Sequence, residues 1–187
     1  MSVINGWKTL EGEPVNDIEQ AIRETHQIAQ VTGGFVFAYI GTDSQNLGQR
    51  FTSMVQCVAL HRYDVNCIGK GGRVFYIRHL ENRHDNRQRR LLREAEISVK
   101  LAQRLEPLFT ELDIPFEVHA DVNSDPGLHN ENKSNEVHDA VKGWVEGTLH
   151  VPCVTKPNAF VASICADKHT RGVKKPRAFP KKTLPKK

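Results

Sequence analysis

Apolar residues along this chain recur with two different periods, and the switches between the periods predict its elements. From about Val15 to Gln30, Ile18, Ala21, Ile22, Thr25, Ile28 and Ala29 return near helical spacing, behind Asn16 as N-cap with Glu19 three positions on. Gly33-Gly34 ends that helix. Phe35 to Ile40 is then almost continuously apolar and rich in aromatic and β-branched residues, the pattern of a central strand buried on both faces. It ends in the polar string Gly41-Thr42-Asp43-Ser44-Gln45. Strand-like runs from Phe51 to Leu60 and from Arg73 to Ile77 follow, separated by a turn carrying Gly69, Gly71 and Gly72, so three strands form an antiparallel meander.

Asp85 to Leu112 reads as the longest helix, with Leu91, Ala95, Ser98, Leu101, Ala102, Leu105 and Leu108 making its apolar stripe. Phe116 to Val122 is a fourth strand. A polar loop, Asn123 to Lys133, leads to a helix through Val137, Val141, Trp144 and Val145 that stops at Gly147. Val151 to Val154 is a short fifth strand, and Pro157 opens a last helix through Phe160, Ala162 and Ile164 to about Lys168. This order predicts an α/β fold: a five-stranded mixed sheet with helices on both faces, preceded by an N-terminal helix. The expected division is a helical extension over residues 1–34, one domain over 35–170 and a basic tail over 171–187.

Composition changes that picture in one place. The chain has 187 residues, 39% hydrophobic and 26% charged, which suits a single domain with a real core. Its net charge of +4 hides an asymmetry: nine of the 26 Lys and Arg lie between Lys168 and Lys187, where there is no acid, leaving 17 basic against 22 acidic groups elsewhere. With Pro176, Pro180 and Pro185 and little that is apolar, that segment is expected to be a disordered basic arm suited to nucleic acid or another polyanion. No run approaches the roughly 20 apolar residues of a membrane span, and the start lacks a signal-peptide layout, so the expectation is a cytoplasmic protein. Cys57, Cys67, Cys153 and Cys165 form no CxxC pair, which argues against a zinc ribbon or a disulfide framework. Nothing in the sequence speaks to oligomeric state.

The chemistry rests on acids at the ends of buried elements, where a carboxylate costs free energy unless it is paired or coordinates a metal. Asp43 follows the Phe35 to Ile40 run, and Asp121 closes Phe116-Glu117-Val118-His119-Ala120. The plain alternative for either is a turn or cap aspartate. On the long helix, at about 100° per residue, Glu94 shares a sector with Leu101 and Leu105, whereas Glu96 falls with Arg89, Lys100 and Gln103. Glu94 is therefore the buried candidate, its structural alternative being a pair with Arg90 or Arg93. Asp167, at the far end of the last helix, is unfavourable with the helix dipole and suggests a compensating cation. Two look-alikes drop out. Gly69-Lys70-Gly71-Gly72 lies between strands and is no phosphate loop. Asp121-Val122-Asn123-Ser124-Asp125 imitates a calcium loop, but its glycine is misplaced and its twelfth position is Asn132. Ser44 has no nucleophile elbow around it and more plausibly orients Asp43.

Four carboxylates on a first strand, a long helix, a fourth strand and a last helix resemble the ribonuclease H-like superfamily. Ile40-Gly41-Thr42-Asp43-Ser44-Gln45, His119-Ala120-Asp121-Val122-Asn123, Lys133-Ser134, Lys156-Pro157 and Ala162-Ser163 through Ala166-Asp167-Lys168-His169-Thr170 narrow this to a resemblance to the ribonuclease H-like YkuK family. Where that family usually reads KPDA, this chain has Lys156-Pro157-Asn158-Ala159, which keeps a cap but removes a charge. The resemblance implies a ribonuclease H-like fold with the first and fourth strands side by side, and two-metal phosphodiester hydrolysis with two Mg²⁺ or Mn²⁺ ions. It implies that Asp43 bridges the metals, that Glu94 and Asp121 complete one site, and that Asp167 helps hold the second. His169 would assist product release or proton transfer, its plain alternative being a solvated histidine. The partner would be nucleic acid, whether DNA, RNA or hybrid. The basic stretch Arg78 to Arg93 is either a solvated helix start or a phosphate-tracking surface, with Arg87, Arg90, Lys156 and Lys168 as candidate contacts. The competing readings are a ribonuclease H-like protein that binds or scaffolds nucleic acid without cleaving it, and a structural protein whose tail binds polyanions.

Overall fold

The computed structural model describes residues 2–3, 6–123 and 137–161. Asp167, Lys168 and His169, most of the expected last helix and the basic tail lie outside the described residues. The described elements are β1 (Ser2–Val3), β2 (Trp7–Thr9), β3 (Pro14–Val15), α1 (Ile18–Val31), β4 (Phe35–Leu47), β5 (Phe51–Tyr63), β6 (Gly69–Asn82), α2 (Arg87–Glu111), β7 (Phe116–Asn123), α3 (His138–Leu149) and β8 (Cys153–Lys156). All the strands join one mixed sheet in the order β3-β2-β6-β5-β4-β7-β8, with β1 also on β6.

The five expected strands are present as β4 to β8, and three short ones add to them, so the expected five-stranded sheet is an eight-stranded one among the described residues. The additions precede α1 and extend the sheet beyond β6. They draw Pro14 and Val15 into a strand, which moves the start of α1: Asp17, not Asn16, is the cap, its Oδ1 accepting from the Glu19 and Gln20 amides at 2.8 and 3.2 Å. Ile28 also departs from expectation and is exposed. α3 runs past Gly147 to Leu149, where His150 caps it in the left-handed region.

The meander strands are longer than their apolar runs. β4 pairs with β5 without a break from Phe35↔Tyr63 to Leu47↔Phe51, so the polar string after Ile40 is strand rather than turn. The glycines at 69–72 likewise open β6, and the turn before it is held by Asp64, whose Oδ1 accepts from the Asn66 and Ile68 amides at 2.9 Å. Gly72 is there for closeness rather than for turning, because a Cβ on it would lie 2.6 Å from the Leu60 carbonyl oxygen.

Strand alternation sorts the core into two layers. Val36, Ala38 and Ile40 of β4, with Val58, Leu60 and Phe75, pack under all three described helices. The reverse face carries Tyr39, Val55, Cys57, Ala59 and Val161, with Phe37, Val74 and Tyr76 beside them. The described helices thus occupy one face, not both; what meets the second face from the C-terminal side is Phe160–Val161, where helical geometry resumes. Bidentate Arg23–Glu111 and the Arg104–Glu19 pair tie α1 to α2 across the first layer. No helix among the described residues is long and apolar enough to cross a membrane.

Candidate carboxylate site

The site forms where the sheet divides. β4 and β7 run parallel and paired from Ala38↔Phe116 to Gly41↔His119, the side-by-side placement expected of the first and fourth strands. Beyond Gly41, β4 continues with β5 alone for six more residues. At the same level the register of β7 against β8 breaks between Ala120 and Asn123, and a bulge of this kind re-aims the side chain it contains, here Asp121. The fork between the two strands holds Thr42, Asp43, Ser44 and Asp121, and α2 crosses it with Glu94 and Ser98.

Asp43 is therefore within a strand rather than at its end. It stands directly across from Val55, and opposed residues of an antiparallel pair share a face, so Asp43 lies on the Tyr39–Val55 side. Its neighbours Thr42 and Ser44 point the other way and engage α2. The Ser44 hydroxyl donates to Glu94 Oε1, and Ser98 Oγ lies 2.8 Å from Thr42 Oγ1 and 3.0 Å from the Glu94 carbonyl. The expectation that Ser44 orients Asp43 is thus corrected: alternation sends Ser44 to the glutamate instead.

Glu94 is only 5% exposed and Asp43 9%. Burial pushes the Glu94 carboxyl up to about 8, and the negative charges of Asp43 and, less strongly, Asp121 push the same way, against the Ser44 hydrogen bond and Arg90. The Arg90 Nε is 4.0 Å from Glu94 Oε1, which is too long to discharge it fully. Two residues along the same helix Glu96 has the opposite fate: Lys100 and Arg93 hold it below the usual carboxylate range on a more open face. The helical-wheel distinction between the two acids stands.

Asp121 is paired with the Lys156 ammonium from the end of β8. Of the residues expected to contact nucleic acid, Arg87 is exposed at the first turn of α2, whereas Arg90 and Lys156 turn to the carboxylates. A cavity of about 10 Å³ between Thr42, Glu94, Ser98 and Asp121 is the size of one water. Among the described residues no three His, Cys, Asp or Glu are gathered closely enough to hold a metal ion. Asp43 and Glu94 approach from opposite faces of β4, and Asp121 is engaged by Lys156.

The expected residues leave out His119. It is 1% exposed and boxed by Tyr39 and Phe160 at ring separations of 5.3 and 4.7 Å. The Val161 amide donates to its Nδ1 at 3.2 Å, so the proton sits on Nε2, which donates to Glu117 at 2.8 Å. Burial holds the imidazole below its ordinary pKa. His119 thereby ties β7, two residues before Asp121, to the chain entering the C-terminal segment. The signal available in the sequence was a histidine at an inward position of a buried strand.

No curated protein and no solved structure matches the chain. A family model does, the one described as ribonuclease H-like, over residues 16–171. With the parallel β4–β7 pair, the antiparallel β4–β5–β6 meander and the fork of carboxylates between them, the chain belongs to the ribonuclease H-like family, in the YkuK group to which its motifs pointed.

Proposed function

We propose that the chain is a divalent-metal-dependent nuclease that hydrolyses phosphodiester bonds of DNA, RNA or a hybrid at the β4–β7 fork. One observation carries the reading: Glu94 is buried within electrostatic reach of Asp43 and Asp121, with its carboxyl raised to about 8. An acid held protonated first by burial and then by like charges beside it marks a site short of positive charge. The donors present suit a hard cation, since carboxylates from Asp43, Glu94 and Asp121 stand with the hydroxyls of Thr42, Ser44 and Ser98, and among the described residues no thiolate joins them. Asp43, Glu94 and Asp121 would hold Mg²⁺ or Mn²⁺, two ions with substrate bound, and Asp167 would contribute the fourth carboxylate. Such an ion, when bound, supplies a Lewis acid that activates water and offsets charge on the leaving 3′ oxygen.

The chain's own residues do the remainder. Ser44 fixes the Glu94 carboxylate in one orientation, and Ser98 ties that turn of α2 to Thr42 of β4. In the metal-free chain Lys156 pairs with Asp121 and Arg90 lies beside Glu94, and both are free to turn to phosphate once a cation takes those acids. His169 would serve proton transfer or product release. The second reading, a ribonuclease H-like protein that binds nucleic acid without cutting it, is favoured by a single feature, the Lys156–Asp121 pair, in which a lysine does the work of a cation. A cleavage screen separates them: wild-type chain with Mg²⁺ or Mn²⁺ on single-stranded, duplex, hybrid and branched substrates, beside Asp43→Asn. Metal-dependent cleavage lost in the folded variant supports the nuclease. A rate unchanged by the substitution removes Asp43 from the site, and no cleavage of any substrate leaves the binding protein.

A further inference from the structure

The β4–β5 hairpin ends in an exposed apolar pair. Leu47 and Phe51 are directly opposed, so their side chains share a face, and they are 37% and 45% exposed. That face is the Asp43 face, because Asp43, Gln45 and Leu47 follow one another at the two-residue repeat of β4, as do Val55, Ser53 and Phe51 on β5. Four residues of strand separate Leu47 from Asp43, about 13 Å at roughly 3.3 Å per residue. The ring and the carboxylate thus lie on one side of one sheet, a few nucleotides apart.

The tip is also braced. The Arg83 amide donates to the Arg50 carbonyl at 2.9 Å, and its guanidinium reaches the Gly48 carbonyl and Asp85. Asn46 Nδ2 donates to the His84 carbonyl at 3.1 Å, and the His84 amide donates to Thr52 Oγ1 at 2.9 Å. The segment of residues 83–85 that leads into α2 is therefore bound to the hairpin, and Arg50 in the turn and Arg83 beside it are both exposed. Asp85 is the acid of this rim, and Arg83 already pairs with it.

An exposed aromatic ring on a rigid tip, with Arg50 in the turn and Arg83 bound to it, matches the chemistry of unpaired nucleic acid: a π-face for a base and cations for its phosphates. Two side chains are too small for the apolar core of a protein interface, and the rim is rich in the charges such cores lack. A duplex hides its base faces in the stack. We propose that Phe51, on a floor made by Leu47, is a stacking platform for an unpaired base, so that the fork receives a strand with a single-stranded stretch or end. This rests on the nucleic-acid reading of the fork and adds the substrate class.

The test is equilibrium binding by fluorescence anisotropy, with the full chain in EDTA so that nothing is cut. The probes are a labelled 15-nucleotide oligothymidine and a blunt duplex of mixed sequence, against wild type, Phe51→Ala, Phe51→Leu and Phe51→Trp. Phe51→Ala and Phe51→Leu should weaken single-strand binding by roughly 5- to 100-fold while leaving duplex binding, carried by the basic residues, nearly unchanged. Phe51→Trp should keep the affinity, and the emission it adds over that of Trp7 and Trp144 should be quenched by the single strand alone. Equal losses on both probes, no loss on either, or a wild type that binds neither overturns the platform; so does an effect of Phe51→Ala on self-association alone. A chain that fails to cleave yet shows the selective loss removes the nuclease reading and leaves the platform. A chain that cleaves and is indifferent to Phe51 does the reverse.

Discussion

The two halves of β4 are made on different principles. From Phe35 to Ile40 the strand is paired with β5 throughout and with β7 from Ala38 on, and its alternate residues enter two apolar layers. From Thr42 to Leu47 it keeps only β5, yet Thr42, Asp43 and Ser44 are as buried as the residues before them. Burial stabilises the first half directly. In the second it is a cost, offset across the layer by Ser44 on Glu94 and Ser98 beside Thr42, and still felt at Glu94, whose carboxyl burial pushes up to about 8. A sheet that spends stability in one place, beside a stretch that gains it, marks where its chemistry is to be looked for.

Substitution should expose this contrast most strongly in the apolar half. Ile40→Ala opens a cavity under α2 and should lower unfolding free energy by about 2–5 kcal/mol in urea melts, whereas Ser44→Ala, which deletes one hydrogen bond, should cost about 1–3 kcal/mol. Equal costs would erase the distinction between the halves.

Glu94 sharpens it through pH. Its folded-state value, about 8, lies above the ordinary 4.5, so the native chain keeps a proton that the unfolded chain has released. Below about 4.5 both states hold the proton and nothing changes; between about 4.5 and 8 stability falls as pH rises, by up to about 1.4 kcal/mol per unit. Glu94→Gln should flatten that slope and make the metal-free chain more stable at pH 8, as read by melts across the range. Glu96, held low by Lys100 and Arg93, acts with the opposite sign: its contribution is present above its ordinary value and is lost as pH falls through the depressed one. Glu96→Gln should leave the alkaline slope in place.

Lys156 gives the smallest effect and the most specific one. If its ammonium competes with a divalent ion for Asp121, Lys156→Met should tighten Mn²⁺ binding several-fold while lowering the salt slope of nucleic-acid binding by roughly one unit. Weaker binding of both would make the lysine a structural brace.

Much of this is legible in the sequence. Element order followed from the alternation of periods, and the choice of Glu94 over Glu96 from the helical wheel alone. What escaped was short or shared between strands. β1, β2 and β3 have two or three residues each, too few to show a period. The polar half of β4 looked like a turn because its residue types favour turns, and only β5 alongside it keeps it extended. The Lys156–Asp121 pair depends on a register break, and the role of His119 on an amide contact 42 residues away. Neither leaves a periodic trace in the sequence.

The central claim is that the carboxylates at the fork are a divalent-cation site. Calorimetric titration of the full chain with Mn²⁺ at pH 6.5 and 8.5, for wild type and Asp43→Asn, tests it most directly. The account predicts binding that is tighter at the higher pH, with proton release at the lower one as the cation displaces the Glu94 proton, and loss of binding in Asp43→Asn. Binding absent from the wild type, or unaltered by the substitution and by pH, would contradict it.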